Sequence, residues 1–125
     1  MTRTYDVVSV EDNDTVFALL EAVLEELPIA LRRASTGAEA IAMLTQAKPD
    51  LVLLDITLPD MRGWDVLDRL SADGKLEGVP VLVLTSHTET AHRVIGRMQD
   101  VTAYMTKPFL PSELLDKIGQ LLGLA

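Results

Sequence analysis

Residues 51–55 read Leu-Val-Leu-Leu-Asp, an apolar run that ends in an acid. Lys48-Pro49-Asp50 interrupts the chain just before it, and an uninterrupted apolar run of this length is typical of a strand buried on both faces of a parallel sheet. In such a sheet, ligands bind outside the carboxyl ends of the strands. Asp55 therefore stands where a ligand site is expected.

Outward from this run, short apolar runs alternate with segments of helical periodicity. We predict five strands, at residues 5–10, 29–33, 51–54, 79–84 and 103–105. The periodicity predicts five helices: one with an apolar face from Val16 to Leu27 that Pro28 ends, one opened by a capping box at 36–39, one at about 64–70, one at about 89–98, and one beginning near Pro111. Strict alternation of strand and helix predicts an α/β fold, a doubly wound parallel sheet covered on both faces.

The bulk composition narrows the class of protein. A chain of 125 residues with 48% hydrophobic content fits one domain, which we place at 1–125. The formal charge of −8 argues against a surface for nucleic acid or anionic membrane, and the absence of cysteine excludes disulfides and thiolate metal sites. We find neither a signal peptide nor a long apolar segment, and we expect a soluble, cytoplasmic protein.

Further charged residues follow other predicted strands. Glu11 and Asp12 close the first apolar run, and Lys107 follows the last one. Because the strand ends share one edge, we expect these residues to meet Asp55. A cluster of acids repels itself unless a cation lies among them, and oxygen ligands of this kind suit Mg²⁺. The sequence therefore predicts a magnesium site that handles phosphoryl groups.

Asp55 is the candidate nucleophile of that site. A carboxylate can attack phosphorus to form an aspartyl phosphate if neighbouring groups neutralise the charge on the transferred group. The acids at 11 and 12 would hold the metal together with Asp55 and the backbone carbonyl of Thr57. Lys107 would pair with a phosphoryl oxygen, and the hydroxyl of Thr85 would bond the attached group and draw the following loop inward.

Five motifs that contain these residues resemble, in order and spacing, those of the response-regulator receiver domain. They are Val10-Glu11-Asp12-Asn13, Leu53-Leu54-Asp55, Leu58-Pro59-Asp60-Met61-Arg62-Gly63, Leu84-Thr85-Ser86 and Lys107-Pro108-Phe109. The resemblance covers essentially the whole chain. It implies a flavodoxin-like sheet with strand order 2-1-3-4-5 and five helices.

The resemblance also implies a function in two-component signalling. Asp55 would receive a phosphoryl group from a sensor histidine kinase or a histidine phosphotransfer protein, with Mg²⁺ held by Glu11, Asp12 and Asp55, and the acyl phosphate would later be hydrolysed. Such a domain is a signalling switch and not an enzyme with an external substrate. Its output would be the surface formed by the fourth helix, the fifth strand and the fifth helix, which controls a downstream protein.

Individual residues take roles from the same resemblance. Thr85 and Tyr104 would form the switch, and the peptide bond before Pro108 would be cis. The residues that would flank the phosphoryl group are Thr57, Ser86 and His87.

Other functions explain the residues less well. Aspartate-based phosphatases carry Asp-x-Asp where this chain has Asp55-Ile56-Thr57, and their substrate-covering cap has no room in 125 residues. An FMN carrier would need a Ser/Thr-rich phosphate loop after the first strand, which this chain lacks. A receiver-like interaction module that is never phosphorylated stays open as the alternative, as does a receiver domain cut from a longer regulator, although Met1 favours a natural start.

Overall fold

One parallel sheet with helices on both faces forms the fold. A computed structural model describes residues 3–85 and 101–124. The strands are β1 (Tyr5–Val10), β2 (Ile29–Ala34), β3 (Leu51–Asp55), β4 (Val81–Thr85) and β5 (Ala103–Thr106). The described helices are α1 (Asp14–Leu24), α2 (Gly37–Gln46), α3 (Gly63–Ala72) and a C-terminal helix (Pro111–Leu122). The helix expected at 89–98 lies outside the described residues.

The strand order is β2-β1-β3-β4-β5, and every neighbouring pair is parallel. The expected doubly wound order is therefore confirmed. The chain starts inside the sheet at β1, adds β2 on one side, and then crosses over to build β3, β4 and β5 on the other. All five carboxyl ends consequently point to the same edge.

Side-chain alternation along the buried strands builds two cores, one on each face of the sheet. Val8, Val52 and Val83 pack with residues of α2 and α3, such as Leu44 and Leu67. The intervening strand residues pack against α1 and the C-terminal helix, and this second cluster contains Val7, Leu53, Leu82, Leu20, Leu114 and Ile118. The near-continuous apolar runs of β3 and β4 follow from this burial on both faces.

Several strands end one residue later than predicted, and two larger differences from the predicted boundaries have a clear physical cause. Helix α1 ends at Leu24, not at Leu27. The residue before a proline disfavours the helical conformation, so the chain leaves the helix early, through a turn in which the Leu27 N–H donates to the Leu24 carbonyl at 3.0 Å. Strand β4 begins at Val81 because Val79 belongs to a turn with Leu76 and Pro80 has no N–H to donate.

The predicted capping box of α2 is confirmed in part. Thr36 is the N-cap, and its hydroxyl accepts from the Glu39 N–H at 3.1 Å. The Glu39 carboxylate accepts from the N–H of Ser35, at 3.4 Å, and so reaches one residue further back than the box predicts.

Among residues 3–85 and 101–124, no helix has both the length and the apolar character needed to cross a bilayer.

Candidate functional site

The polar residues singled out in the sequence lie at the carboxyl edge of the sheet. Glu11 directly follows β1, Asp55 ends β3, Thr85 ends β4 and Lys107 directly follows β5. A backbone hydrogen bond of 2.7 Å from the Lys107 N–H to the Thr85 carbonyl holds the last two strand ends together. The topology thus brings together residues that are 96 positions apart in the chain.

Lys107 is the central contact of this edge. Its Nζ donates to Oε1 of Glu11 at 2.8 Å and lies 3.4 Å from Oδ2 of Asp55. The lysine side chain is 16% exposed, and that of Glu11 is 2% exposed. One ammonium group therefore pairs with two carboxylates in a largely water-excluded place, where charge pairing is stronger than at the surface.

Asp12 completes an acidic cluster with Glu11 and Asp55. Carboxylate oxygens of the three residues all lie within 4.8 Å of one another, with Asp12 on the exposed side. Three carboxylates facing one point form a donor set of hard oxygen ligands, which suits a hard divalent cation. The residues present therefore fit a cation site that is open to solvent on one side.

The Glu11 carboxylate has a perturbed acidity. Burial raises its pKa above the ordinary value, the hydrogen bond from Lys107 opposes that rise, and the nearby charge of Asp55 adds to it. Glu11 is also tied to the start of α1, because its Oε2 accepts from the Asn13 N–H at 3.3 Å. A second cation near Glu11 and Asp55 would relieve the repulsion between them.

The loop after β3 fixes the orientation of Asp55. The Asp55 Oδ1 accepts from the N–H of Thr57 at 3.1 Å. Thr57 is exposed and forms an isolated antiparallel bridge with Arg62. The Gly63 N–H then donates to the Ile56 carbonyl at 2.7 Å, so the loop closes tightly on itself. A Cβ at Gly63 would stand 2.5 Å from the Asp55 carbonyl oxygen, which explains why glycine occupies this place.

The residues expected to act after phosphorylation are described only in part. Thr85 is buried, and Tyr104 is half-buried against the core. Because Val83 pairs with Tyr104 and Thr85 pairs with Thr106, Thr85 and Tyr104 lie on the same face of the sheet, two positions apart in register. The Lys107–Pro108 peptide bond is cis. Ser86 and His87 lie outside the described residues.

Sequence reasoning missed the roles of two charged residues near the site. The Asp60 carboxylate accepts from the N–H groups of Gly37 and Ala38, at 2.8 and 3.0 Å, and these bonds lower its pKa. Arg33, at the end of β2, donates from Nε to the Glu11 carbonyl at 2.9 Å. A charged residue in a loop or near a strand end is by itself a weak indication of a role at the site, because the sequence does not show which groups the side chain contacts.

Comparisons with known proteins agree with this geometry. The family model of the response regulator receiver domain matches residues 7–119. Protein PilH of Pseudomonas aeruginosa is 31% identical over 117 residues, which cover 94% of this chain and 97% of PilH. The DNA-binding response regulator MtrA of Mycolicibacterium smegmatis is 35% identical over 117 residues, covering 94% of this chain but 50% of MtrA, so the chain spans about half the length of that relative.

A solved structure gives the same picture. The receiver domain protein (CheY-like) of Methanospirillum hungatei superposes with a TM-score of 0.85 and 26% identity, covering 97% of this chain and 95% of its own. The residues that match the family model run from within β1 into the C-terminal helix. They include every residue of the acidic cluster. The chain therefore belongs to the response regulator receiver domain family of two-component signalling.

Proposed function

We propose that this receiver domain accepts a phosphoryl group on Asp55 from a phosphorylated histidine of a sensor histidine kinase or histidine phosphotransfer protein. The observation that carries the proposal is the position of Lys107, whose Nζ lies 2.8 Å from Glu11 and 3.4 Å from Asp55. An ammonium group beside a carboxylate nucleophile can neutralise the oxygens of an incoming phosphoryl group.

The transfer exchanges one phosphorus bond for another. An Asp55 carboxylate oxygen forms a bond to phosphorus while the bond from phosphorus to the donor's imidazole nitrogen breaks, and the imidazole leaves with the electron pair of that bond. The Thr57 N–H, 3.1 Å from Asp55 Oδ1, keeps the carboxylate oriented during the attack. Hydrolysis by water later returns the carboxylate and releases inorganic phosphate.

Glu11, Asp12 and Asp55, together with the backbone carbonyl of Thr57, would hold the Mg²⁺ that this reaction requires. The three carboxylates fit that ion because they supply oxygen donors within 4.8 Å of one another and leave one side open for water and phosphate. When bound, Mg²⁺ supplies positive charge to the transferring group. Lys107 would then shift from Glu11 toward a phosphoryl oxygen.

The signal would pass from the phosphoryl group to a partner protein. The Thr85 hydroxyl would bond the attached group, and Tyr104, two register positions away on the same face, would follow the movement. The output surface would consist of the fourth helix expected from the sequence, which lies with Ser86 and His87 outside the described residues, together with β5 and the C-terminal helix.

The proposed role is that of a switch formed by a single domain, residues 1–125, which acts on its own acyl phosphate and not on an external substrate. MtrA is a DNA-binding protein, but this chain spans 50% of MtrA. With a formal charge of −8, the chain is expected to act through protein contacts and not to bind DNA directly.

Phosphorylation by a small-molecule donor tests the proposal. The protein is incubated with acetyl phosphate, with MgCl₂ or with EDTA, and intact mass is followed from seconds to hours. We expect the mass of one phosphoryl group to be added only with Mg²⁺, and not in Asp55→Asn. Asp73→Asn, which removes an exposed carboxylate just after α3, is the matched control and should be phosphorylated like the wild type.

The opposite result would favour a different function. If the wild type carries no adduct at any sampled time while a known receiver domain in the same buffer does, the chain is a receiver-like interaction module that is not phosphorylated. If Asp55→Asn is phosphorylated to the same extent as the wild type, the acceptor is another residue.

A further inference from the structure

Arg33 makes three contacts around the loop that follows β1. Its Nε donates to the Glu11 carbonyl at 2.9 Å, and its Nη1 lies 2.8 Å from Oδ1 of Asp14. The guanidinium carbon also lies 5.0 Å from the centroid of the Phe17 ring. A single planar group thus joins β2, the acidic loop and the first turns of α1.

These contacts hold the peptide group that links two of the acids. The Glu11 N–H donates to the Ala34 carbonyl at 3.0 Å, so both backbone polar groups of Glu11 are bound by neighbouring residues of β2. The carbonyl of Glu11 belongs to the same planar peptide unit as the N–H of Asp12. Fixing that carbonyl therefore fixes the plane of the peptide that leads to the Asp12 Cα, and so restricts the directions in which the Asp12 side chain can point.

The charge of Arg33 is already balanced within this arrangement. Asp14 pairs with it, although the Arg33 side chain is 24% exposed and that of Asp14 is 92% exposed, so that solvent screens part of this pairing. The arginine therefore adds little net repulsion against a cation at the acidic cluster, while its fork-shaped set of donors can bind the carbonyl and the carboxylate together. Its neighbour Arg32 pairs instead with Asp6, through Nε and Nη2 at 2.9 and 2.8 Å.

We propose that Arg33 is a positioning residue for the cation site, acting through the Glu11–Asp12 peptide. The inference rests on the magnesium site of the proposed function and adds a residue that touches none of the reacting groups. Groups that orient metal ligands commonly matter about tenfold or more for affinity when they are removed.

A titration with MgCl₂ alone, in which amide NMR signals are monitored, tests this role. The reporter is the Thr57 amide, which lies beside Asp55 on the other side of the site and makes no hydrogen bond to Arg33. We expect Arg33→Gln to raise the dissociation constant for Mg²⁺ on the order of tenfold. Arg33→Lys should recover part of the affinity, because an ammonium group can still donate to the Glu11 carbonyl but lacks the fork that binds the carbonyl and the Asp14 carboxylate together.

Arg32→Gln is the matched control, since it makes the same charge change one residue away in the same strand. We expect its affinity for Mg²⁺ to equal that of the wild type. Equal weakening in Arg32→Gln and Arg33→Gln would overturn the inference, because the effect would then not depend on the contact between Arg33 and the Glu11 carbonyl. Unchanged or tighter binding in Arg33→Gln would overturn it as well.

Two further outcomes are decided by the same titrations. If Arg33→Gln does not fold, Arg33→Lys is compared with the wild type, where severalfold weaker binding supports the role and equal binding contradicts it. If the wild type itself shows no Mg²⁺-dependent shift at Thr57, the magnesium site of the proposed function fails, and this inference fails with it.

Discussion

Lys107 shows how one residue can hold an acidic site together before any ligand arrives. Its Nζ contacts Glu11 at 2.8 Å and Asp55 at 3.4 Å, and Glu11 is only 2% exposed. Removing one member of a buried ion pair leaves the other charge without compensation, which costs far more than losing a surface pair. Lys107 is therefore expected to matter for stability as well as for phosphoryl transfer.

Replacing Lys107 by methionine should destabilise the metal-free protein by about 3 kcal/mol at neutral pH. The pKa of Glu11 is already raised by burial and should rise further without its partner. The folded variant then binds a proton more readily than the unfolded chain, so the deficit should shrink as pH falls through that raised pKa.

Urea unfolding in EDTA, at neutral pH and near the ordinary carboxylate pKa, measures this deficit. Lys48→Met, which changes an exposed lysine whose Nζ donates to the Glu77 carbonyl at 2.9 Å, is the control and should alter the free energy of unfolding by no more than about 1 kcal/mol. A deficit for Lys107→Met that is the same at both pH values would contradict the role of Glu11.

Gly63 is a second residue whose place is set by its neighbours. A Cβ there would stand 2.5 Å from the Asp55 carbonyl oxygen and 2.9 Å from Ile56 Cα, both of them backbone atoms. We expect Gly63→Ala to lower the free energy of unfolding by about 1–3 kcal/mol, because the start of α3 must move away from the end of β3.

A glycine in open surroundings provides the comparison for Gly63. At Gly119, inside the C-terminal helix, an added Cβ meets only the Leu124 carbonyl oxygen among the described residues, at 3.9 Å. Gly119→Ala should raise stability by about 1 kcal/mol, because alanine favours the helix. Urea unfolding of both variants checks the pair, and equal effects of the two substitutions would refute the steric explanation.

At the scale of elements, Asp60 connects the loop after β3 to the start of α2. Its two carboxylate oxygens accept from the first two N–H groups of that helix, Gly37 and Ala38. These groups have no partners within the helix, and the positive end of the helix dipole favours the negative charge. A loop of the proposed phosphoryl site is thereby anchored to a helix on one face of the sheet.

The pH dependence of Asp60→Asn tests this anchor. Because the folded pKa of Asp60 is lowered, its contribution to stability is fully present above the ordinary pKa of aspartate and is lost as pH falls through the lowered value. We expect the variant to be less stable than the wild type at neutral pH, and we expect this difference in stability to disappear as pH falls through that acidic range. Thermal unfolding at several pH values measures the difference. A difference that is the same at every pH would show that the charge does not matter.

At the scale of the whole molecule, the proposed magnesium site links ion binding to folding. An ion that binds only the folded state stabilises it by about 2.7 kcal/mol when its concentration is 100 times the dissociation constant. We expect the unfolding midpoint to rise with MgCl₂ in the wild type and to rise much less in Asp12→Asn. NaCl at matched ionic strength is the control, because a chain of charge −8 also responds to screening.

The response of Asp12→Asn decides the interpretation of that titration. If this variant gains as much stability from MgCl₂ as the wild type, the ion acts elsewhere than at the acidic cluster. If neither protein responds beyond the NaCl control, the folded state does not bind Mg²⁺ in this range.

Much of the architecture follows from the sequence, because periodicity and burial are properties of whole segments. The gathering of Glu11, Asp55 and Lys107 at one edge needed only the rule that parallel strands end together, whereas the strand order came from the resemblance to the receiver family. The contacts of individual side chains could not be predicted from the sequence. Arg32 and Arg33 look alike in the sequence, yet one pairs with Asp6 and the other binds the Glu11 carbonyl, because successive strand residues point to opposite faces.

The position of β2 at the margin of the described sheet has a consequence for association between copies of the chain. An open strand margin offers unpaired backbone groups to which another chain can add, and charged side chains there discourage such growth. Arg32 and Arg33 place two consecutive cations on this margin, and each is engaged with an acid of its own molecule. We therefore expect the two arginines also to discourage the addition of another chain to this strand.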